Sequence, residues 1–249
     1  MKAAISQPTY LPWLGFFDLI DQVDTFVFLD SVQFEKRSWQ QRNRIKLPTG
    51  LSFLTVPVSV KGHFEQTIAE AEIAEPAFWE THLRSIKTNY RRAPFFEKYF
   101  EDLCNIFRTA AESRSVADLN ILLIQWFCTV FGIETKTQRS SEMNQSGRRS
   151  ELLVNLCRFL TADYYLSPLG SSVYLCDDLH LFANAGIDVG FQHYEHPEYH
   201  QLFPPFASYA SALDLLFNEG QEAMTIIRSG RRCAFVAAEL PAAVAGKKD

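Results

Sequence analysis

A run of basic side chains follows an apolar segment near the start of the chain. The apolar segment, residues 25–29, is typical of a buried strand and leads into Asp30. The cations are Lys36, Arg37, Arg42, Arg44 and Lys46, and the polar and aromatic residues among them are Gln33, Trp39, Gln40, Gln41 and Asn43. Arginine binds phosphate through paired N–H donors, and an indole or amide can read a sugar or base. The run predicts a phosphate-binding site, with a solvated hairpin face as the alternative.

A second cluster, FQHYEHPEYHQ at residues 191–201, holds three of the six histidines. Histidine exchanges a proton near neutral pH, so His193 and His196 are candidates for a general acid or base. Asp30 is the candidate catalytic group of the first stretch. A role for His196 as a turn residue before Pro197 is the alternative. The spacing matches no standard zinc site and Pro197 would break a helix, so no metal site is predicted.

Other nucleophile and phosphate motifs give no support to a standard reaction. The chain has five cysteines without a CxxC pair, which favours reduced thiols in a cytoplasmic protein. Three of them, Cys104, Cys128 and Cys157, lie on apolar helical stripes typical of a core. The motifs GxSxG, GxGxxG and GxxxxGK[ST] are absent. The sequence therefore does not identify a cofactor, which stays unknown at this point.

The composition limits the classes of partner. Hydrophobic residues make up 47% of the 249 residues, and the net charge is −5. A general nucleic-acid-binding surface is not expected at this charge. No apolar stretch approaches roughly 18 residues, so no membrane span is expected. The expected partner is a small molecule, and nothing indicates an oligomeric state.

The elements that must position these residues alternate between strands and helices. Apolar runs predict strands at residues 2–6, 25–29, 133–137, 164–167 and 187–194, a hairpin at 44–47 and 52–58, and a further strand at 66–73. Apolar stripes predict helices at residues 13–20, 78–90, 96–107, 119–130 and 213–217, and one capped by Ser150. This alternation predicts a doubly wound, mostly parallel α/β sheet with an inserted hairpin and helical segment at about 44–130.

The expected organisation is a single α/β domain over residues 1–220, followed by a C-terminal helix and a flexible tail over 221–249. Ligands of open α/β sheets bind beyond the carboxyl ends of the strands. This rule selects the loops at residues 7–13, 30–43, 167–174 and 193–201. We expect the first stretch, residues 5–43, and the histidine cluster to face a common cleft, with the first binding the substrate and the second moving the proton.

Several longer motifs resemble those of the WbqC-like family of bacterial proteins. They are QPTYLPWLGFFDLI, FVFLDSVQFEKRSWQQRNRIK, LTVPV, YLSPLGSSVYL, HPEYHQ and SALDLLFNEG, which together span residues 2 to about 220. The matching positions include Gln7, Tyr10, Trp13, Asp30, Gln33, Trp39, Arg42, Asn43, His196, Tyr199 and Gln201. The loop after YLS is less rich in glycine than is usual in the family. A fainter similarity runs to nucleotidyl-transferring enzymes of the pantothenate synthetase kind, but their HxGH-type motif is absent.

The resemblance implies work on an activated or amino sugar in surface-polysaccharide (O-antigen) or nucleotide-sugar metabolism. We expect a transferase that moves an acyl or aminoacyl group, supplied by an acyl carrier, to the nitrogen of an amino sugar. Arginines of the basic run would hold phosphates, Tyr10 and Trp39 would pack on the sugar or base, and His193 or His196 would take the proton. The alternatives are ATP-dependent nucleotidyl transfer or ligation, and a non-catalytic partner of a polysaccharide assembly enzyme.

Overall fold

The structure, a computed structural model, describes residues 1–63 and 65–240. Within these residues it contains seven strands and nine α-helices. The strands are β1 (Lys2–Ser6), β2 (Thr25–Phe28), β3 (Arg42–Leu47), β4 (Gly50–Thr55), β5 (Lys136–Arg139), β6 (Tyr164–Ser167) and β7 (Asp188–Phe191). The helices are α1 (Leu14–Asp21), α2 (Phe78–Tyr90), α3 (Phe96–Ser113), α4 (Val116–Phe131), α5 (Ser150–Phe159), α6 (Ser172–Leu175), α7 (Leu179–Asn184), α8 (Ala212–Glu219) and α9 (Ala223–Ser229).

Five strands form one parallel sheet in the order β5-β2-β1-β6-β7, and β3 pairs with β4 in a separate antiparallel hairpin. Successive strand residues point to opposite faces of the sheet. Ala4 and Phe26 accordingly belong to a core shared with α1 to α4, α8 and α9, whereas Ile5 and Val27 belong to a second core shared with α5 to α7. Both faces are therefore buried, which confirms the predicted doubly wound α/β sheet with an inserted hairpin.

The strand order reverses between β1 and β6. Chain connections run outward from β1 through β2 to β5 in one direction, and from β6 to β7 in the other. The loops that leave the carboxyl ends of β1 and β6 therefore run in opposite directions, and a crevice opens between them. This crevice is where a ligand is expected in an open α/β sheet.

The hairpin and the helices α2 to α4 all lie within the connection between β2 and β5. Helix α4 begins where the Ser115 hydroxyl accepts a hydrogen bond from the Asp118 N–H, and it ends at Gly132 in a left-handed conformation. Asp30 and Arg139 form an ion pair of 2.7 Å where β2 and β5 end. This contact joins the carboxyl ends of β2 and β5.

Two details of the sequence prediction are wrong. Residues 66–73 form isolated bridges to Gln33, Val58 and Ser115 instead of a strand, because their N–H groups find partners in separate loops. Ser150 is the first residue of α5, and its hydroxyl donates to Asp178 instead of capping the helix. The tail predicted to be flexible lies outside the described residues from position 241 onward.

Candidate functional site

A cavity of about 500 Å³ lies at the carboxyl ends of β1, β6 and β7. Ser6 ends β1, Pro168 and Leu169 follow β6, and Gln192 follows β7, so the reversal of strand order supplies one side of the cavity. The remaining lining residues are Thr9, Trp13, Gly15, Phe16, Leu19, Trp39, Asn43, Arg44, Gly170, Tyr194 and Tyr209. A cavity of this size, mostly apolar with a few polar groups, suits a small molecule.

The loop between β1 and α1 presents Trp13 to the cavity. Leu11 in this loop has a φ of 43°, an unfavourable conformation for a residue with a side chain, and its burial in the core holds it there. The buried Asn120 donates to the carbonyl oxygens of Pro8 at 3.0 Å and Gln40 at 2.7 Å. Asn120 on α4 thereby ties this loop to the turn before the hairpin.

Trp13 joins the two stretches that the sequence predicted to face each other. Its indole centroid lies 5.5 Å from the Tyr194 ring and 6.2 Å from the His196 ring, which is nearly parallel to it. The centroid of the Tyr209 ring lies 5.3 Å from the Trp13 indole centroid, so Tyr209 belongs to the same group of rings. The amino-terminal stretch and the segment around the histidines therefore share one wall of the cavity.

The hairpin and the turn before it supply a second wall, with aromatic rings and guanidinium groups. The Arg44 guanidinium lies 5.4 Å from the Trp39 ring centroid, and that of Arg42 lies 4.5 Å from the Phe53 ring. Trp39 is 48% exposed and Phe53 is 46% exposed. In the register of β3 and β4, Arg44 is directly opposite Phe53. Stacked guanidinium groups of this kind remain free to bind anions at their edges.

The five cations of the basic run are not one patch. Arg44 lines the cavity, but Lys36 and Arg37 are exposed in the turn before β3 and do not line it. Lys46 is buried, and its ammonium group donates to the Pro205 carbonyl oxygen at 2.6 Å. Arg42, Arg44 and Lys46 are two residues apart and share one face of β3. Their different surroundings therefore come from the segments that pack over each position, such as Pro205 over Lys46.

Gln192 lies at the base of the cavity and is held by buried groups. Its side-chain amide donates to the Gly15 carbonyl oxygen at 2.8 Å and to Asp18 at 2.9 Å. Asp18 also accepts a 2.7 Å hydrogen bond from Arg231. Burial raises the pKa of Asp18, although the hydrogen bonds from Arg231 and Gln192 act in the opposite direction. This arrangement fixes the orientation of the Gln192 amide.

The two candidate histidines have different surroundings. His196 Nδ1 lies 2.9 Å from the Pro197 carbonyl oxygen, an acceptor, so Nδ1 carries the proton in the neutral ring. Its Nε2 is buried without a hydrogen-bond partner, and burial lowers the pKa of His196. His193 stacks on Phe235 at 4.0 Å and does not line the cavity. His196, which contacts Trp13, is therefore the histidine nearer to the cavity wall.

Asp30 belongs to the junction of β2 and β5 and is fully buried. It accepts hydrogen bonds from Arg139 Nε at 2.7 Å, from Ser140 Oγ at 3.2 Å, and from both the N–H and the hydroxyl of Ser141 at 2.9 Å. It does not line the cavity. The carboxylate predicted to be catalytic is thus engaged in joining two strands.

Several predicted binding residues do not line the cavity: Tyr10 is in the core, Gln7 is half-buried and Gln33 is exposed. Tyr10 is fully buried, and its hydroxyl lies 2.7 Å from His82 Nδ1. Gln7 accepts from the Gln40 amide at 2.9 Å, and Gln33 forms a bridge with Thr67. Of the substrate-binding residues predicted from the sequence, Trp13, Trp39 and Asn43 line the cavity.

Tyr199 and Gln201 belong to a buried network around Asp214 on α8. Asp214 accepts from the hydroxyls of Tyr90 at 2.9 Å and Tyr199 at 2.7 Å, and from the Gln201 amide at 2.9 Å. Burial raises the pKa of Asp214, while these donors and Lys46 act in the opposite direction. The network holds the segment after the histidine cluster against the hairpin and α2.

Sequence reasoning missed Gln192, Tyr194 and Tyr209. The end of β7 at Phe191 was a usable signal for the first two, because the residues that follow a strand lie at the ligand edge. Tyr209 carried no such signal, since it is placed by a tertiary contact, a 3.2 Å hydrogen bond from Arg44 Nη2 to its carbonyl oxygen.

Two of the five cysteines, Cys128 and Cys157, are buried in the core, whereas Cys176 and Cys233 are exposed. Burial raises the pKa of both Cys128 and Cys157 to about 12, as suits core thiols. Within residues 1–63 and 65–240, no three His, Cys, Asp or Glu side chains are grouped so that they could hold a metal ion. In the same part of the chain, none of the helices combines the length and apolarity needed to cross a bilayer.

The strand order and the cavity define a doubly wound α/β protein with a cavity of small-molecule size at its switch point. The chain belongs to the WbqC-like protein family, whose sequence profile matches residues 7–226. It is 37% identical over 232 residues to the uncharacterized protein Rv1507c of Mycobacterium tuberculosis (strain ATCC 25618 / H37Rv). That alignment covers 93% of this chain and 99% of the relative. No solved structure matches the chain.

Proposed function

We propose that this protein is a transferase that binds a sugar nucleotide and moves an acyl or aminoacyl group to the nitrogen of an amino sugar. The observation that carries the proposal is the cavity at the switch point, which is lined by the packed rings of Trp13 and Tyr194 and by Arg44. Sugars pack their apolar faces on aromatic rings, and their hydroxyls need a few polar groups around them. Asn43 and Gln192 supply such groups here.

The hairpin face beside the cavity suits the nucleotide half of the ligand. Trp39 and Phe53 offer exposed rings for a base, and Arg42 and Arg44 offer guanidinium groups for a diphosphate. Among the described residues, neither arginine has a carboxylate within ion-pair distance, as is true of every arginine except Arg139, Arg228, Arg231 and Arg232, so it is their position beside the cavity that sets them apart. Two cations without a carboxylate partner, in a chain of net charge −5, favour an anionic ligand at this place.

The chemistry requires a base for the attacking amine. The amine nitrogen forms a bond to the carbonyl carbon of an acyl donor such as a carrier thioester, and the bond to the leaving sulfur breaks. The nitrogen loses a proton to the base, and the sulfur gains one. Neutral His196, with its free Nε2, is the group beside the cavity wall that fits this role.

A ligand panel tests the proposal. Tryptophan fluorescence and calorimetry would be followed with UDP-N-acetylglucosamine, UDP-glucosamine, ATP with magnesium, and an acyl-coenzyme A. We expect sugar nucleotides to bind, and Arg42→Gln or Arg44→Gln to weaken that binding about tenfold, as for the loss of one charge-assisted hydrogen bond. Trp39→Phe should reduce the fluorescence change, with the remainder coming from Trp13, and Trp79→Phe, at a position outside the cavity, should leave it unchanged.

Each other outcome of the panel favours a different function. Stabilisation by ATP with magnesium alone would favour nucleotidyl transfer or ligation instead. An absence of response to every ligand, together with co-purification with a polysaccharide assembly enzyme, would favour a non-catalytic partner.

A further inference from the structure

Three buried polar atoms without a hydrogen-bond partner surround one aromatic pair at the cavity wall. In the described part of the chain, six buried side-chain polar atoms lack a partner, and three of them are Arg44 Nε, Tyr194 Oη and His196 Nε2. Each such atom costs about 1–3 kcal/mol of stability, so several in one place need a functional explanation.

Each of these three residues contacts Trp13 or Tyr209, whose rings pack on each other. Tyr194 and His196 both contact Trp13. His196 also contacts Tyr209, at 5.1 Å between ring centroids, and Arg44 donates to the Tyr209 carbonyl oxygen. The three residues that carry these polar groups thus contact Trp13 or Tyr209, and both of these line the cavity.

Tyr209 has the properties of a part that can move. Of the four rings around His196, namely those of Trp13, Tyr199, Phe206 and Tyr209, it is the closest and the only one that is exposed, at 49%. Its φ of 62° is unfavourable for a residue other than glycine. It lies in a segment without helix or strand, just before α8. Little packing therefore opposes its displacement.

We propose that Tyr209 is a movable cover, and that a ligand entering the cavity displaces it and bonds to Arg44 Nε, the Tyr194 hydroxyl and His196 Nε2 together. The chemistry of the three groups defines the ligand. Arg44 Nε–H can only donate, and so needs a carbonyl, carboxylate or phosphate oxygen. His196 Nε2, with the proton on Nδ1, can only accept, and so needs an amino or hydroxyl group. An amino sugar joined to phosphate carries both.

This inference rests on the proposed function only for the identity of the ligand, so the cover can be tested without one. Diethyl pyrocarbonate transfers an ethoxycarbonyl group to an unprotonated imidazole nitrogen, releasing ethanol and carbon dioxide. Mass spectrometry of peptides gives the rate for each histidine. We expect His196 in the wild-type protein to react about tenfold more slowly than the exposed His200, as for a site that opens only transiently.

Two variants uncover His196 and two serve as controls. Tyr209→Ala, and Tyr209→Gly, which also relieves the positive φ, should raise the His196 rate toward that of His200. Tyr209→Phe keeps the ring and should not change the rate. Tyr174→Ala removes another exposed tyrosine and should leave it unchanged as well. An unaltered His196 rate in both folded Tyr209 variants would overturn the proposal.

A second arm separates the two proposals. UDP-glucosamine should slow the modification of His196 in the Tyr209→Ala variant, and UDP alone should do so less. If the variants uncover His196 but neither compound binds, the cover stands and the proposed function fails. If calorimetry detects binding of UDP-glucosamine but the compound does not change the rate of His196 modification, the ligand binds and the role assigned to His196 is wrong.

Discussion

The indole of Trp13 lies directly over the α-carbon of Gly15. A β-carbon at Gly15 would overlap three atoms of the indole ring. Gly15 is also the residue whose carbonyl oxygen accepts the Gln192 amide. The absence of a side chain at this one position of α1 therefore allows both the aromatic wall and the base of the cavity to form.

Gly15→Ala should disable the cavity more than it destabilises the fold. Alanine favours a helix by roughly 0.5–1 kcal/mol over glycine, which offsets part of the strain from displacing Trp13. We expect a change of less than about 2 kcal/mol in the free energy of unfolding, and at least about tenfold weaker sugar-nucleotide binding in calorimetry. Gly170→Ala is the control, since a β-carbon there would meet nothing within 4 Å. Equal binding by both variants would contradict the role of Trp13.

Asp30→Asn should lower stability, because it breaks a buried ion pair with three further hydrogen bonds. We expect a loss of about 3 kcal/mol in urea unfolding. Asp118, the other carboxylate partner of Arg139, has a side chain that is 34% exposed. Asp118→Asn should therefore cost less than about 1 kcal/mol. If Asp30→Asn unfolded like the wild type but abolished turnover, the carboxylate would be catalytic instead.

His82 should make the protein less stable as the pH falls. Burial lowers the pKa of His82 from 6.5 to about 4, and a hydrogen bond that the ring donates to the Thr55 backbone acts in the opposite direction. Between these values the unfolded chain binds a proton that the folded chain does not, so stability present above pH 6.5 is lost on the way to pH 4. The loss attributable to this group is about 3 kcal/mol.

Urea unfolding of the wild type and of His82→Gln at several pH values measures that contribution. The difference between the two proteins should shrink as the pH falls through this window. A constant difference would mean that His82 titrates normally in the folded state.

Asp214→Asn should loosen the segment that carries Tyr209. An amide placed among three donors leaves at least one of them unpaired, and Lys46 loses its nearby negative charge. We expect about 3 kcal/mol of destabilisation, and faster hydrogen exchange in residues 199–211. Glu219→Gln, which affects an exposed contact to the His200 N–H from the same helix, should cost less than about 1 kcal/mol. Similar losses in the two variants would contradict the importance of the network.

Regular elements were readable from the sequence because their apolar residues recur at a fixed period. The continuous run at residues 25–29 became β2, and the stripe at residues 78–90 became α2 with the same bounds. Residues 66–73 had the composition of a strand, but in the described part of the chain no neighbouring strand pairs with them along their length. The N–H groups of Ile68 and Ile73 bond to carbonyls of Val32 and Arg114, which belong to separate segments. A pattern within one segment carries no information about such partners.

The position of the cavity was readable from the sequence, but not the residues that line it. The rule for strand ends selected the edge of the sheet where the cavity lies, and Trp13, Trp39 and Asn43 line it. Tyr10 was indistinguishable from Trp13 by residue type, yet it packs beneath the loop against His82. Lys46 and Arg44 were equally indistinguishable. Whether a side chain faces a core or a cavity depends on what packs over it, and that comes from distant parts of the chain.

The ion pair between Asp30 and Arg139 lies beside both boundaries of the segment 31–138, which contains the long connection from β2 and most of β5. This segment supplies Trp39, Asn43 and Arg44 to the cavity, while the other sheet loops supply Ser6, Gln192 and Tyr194. Exchanging residues 31–138 with the corresponding segment of the mycobacterial relative would replace one wall and leave the other in place. Ligand preference should travel with the grafted segment, so a chimera would show which wall recognises which half of the ligand.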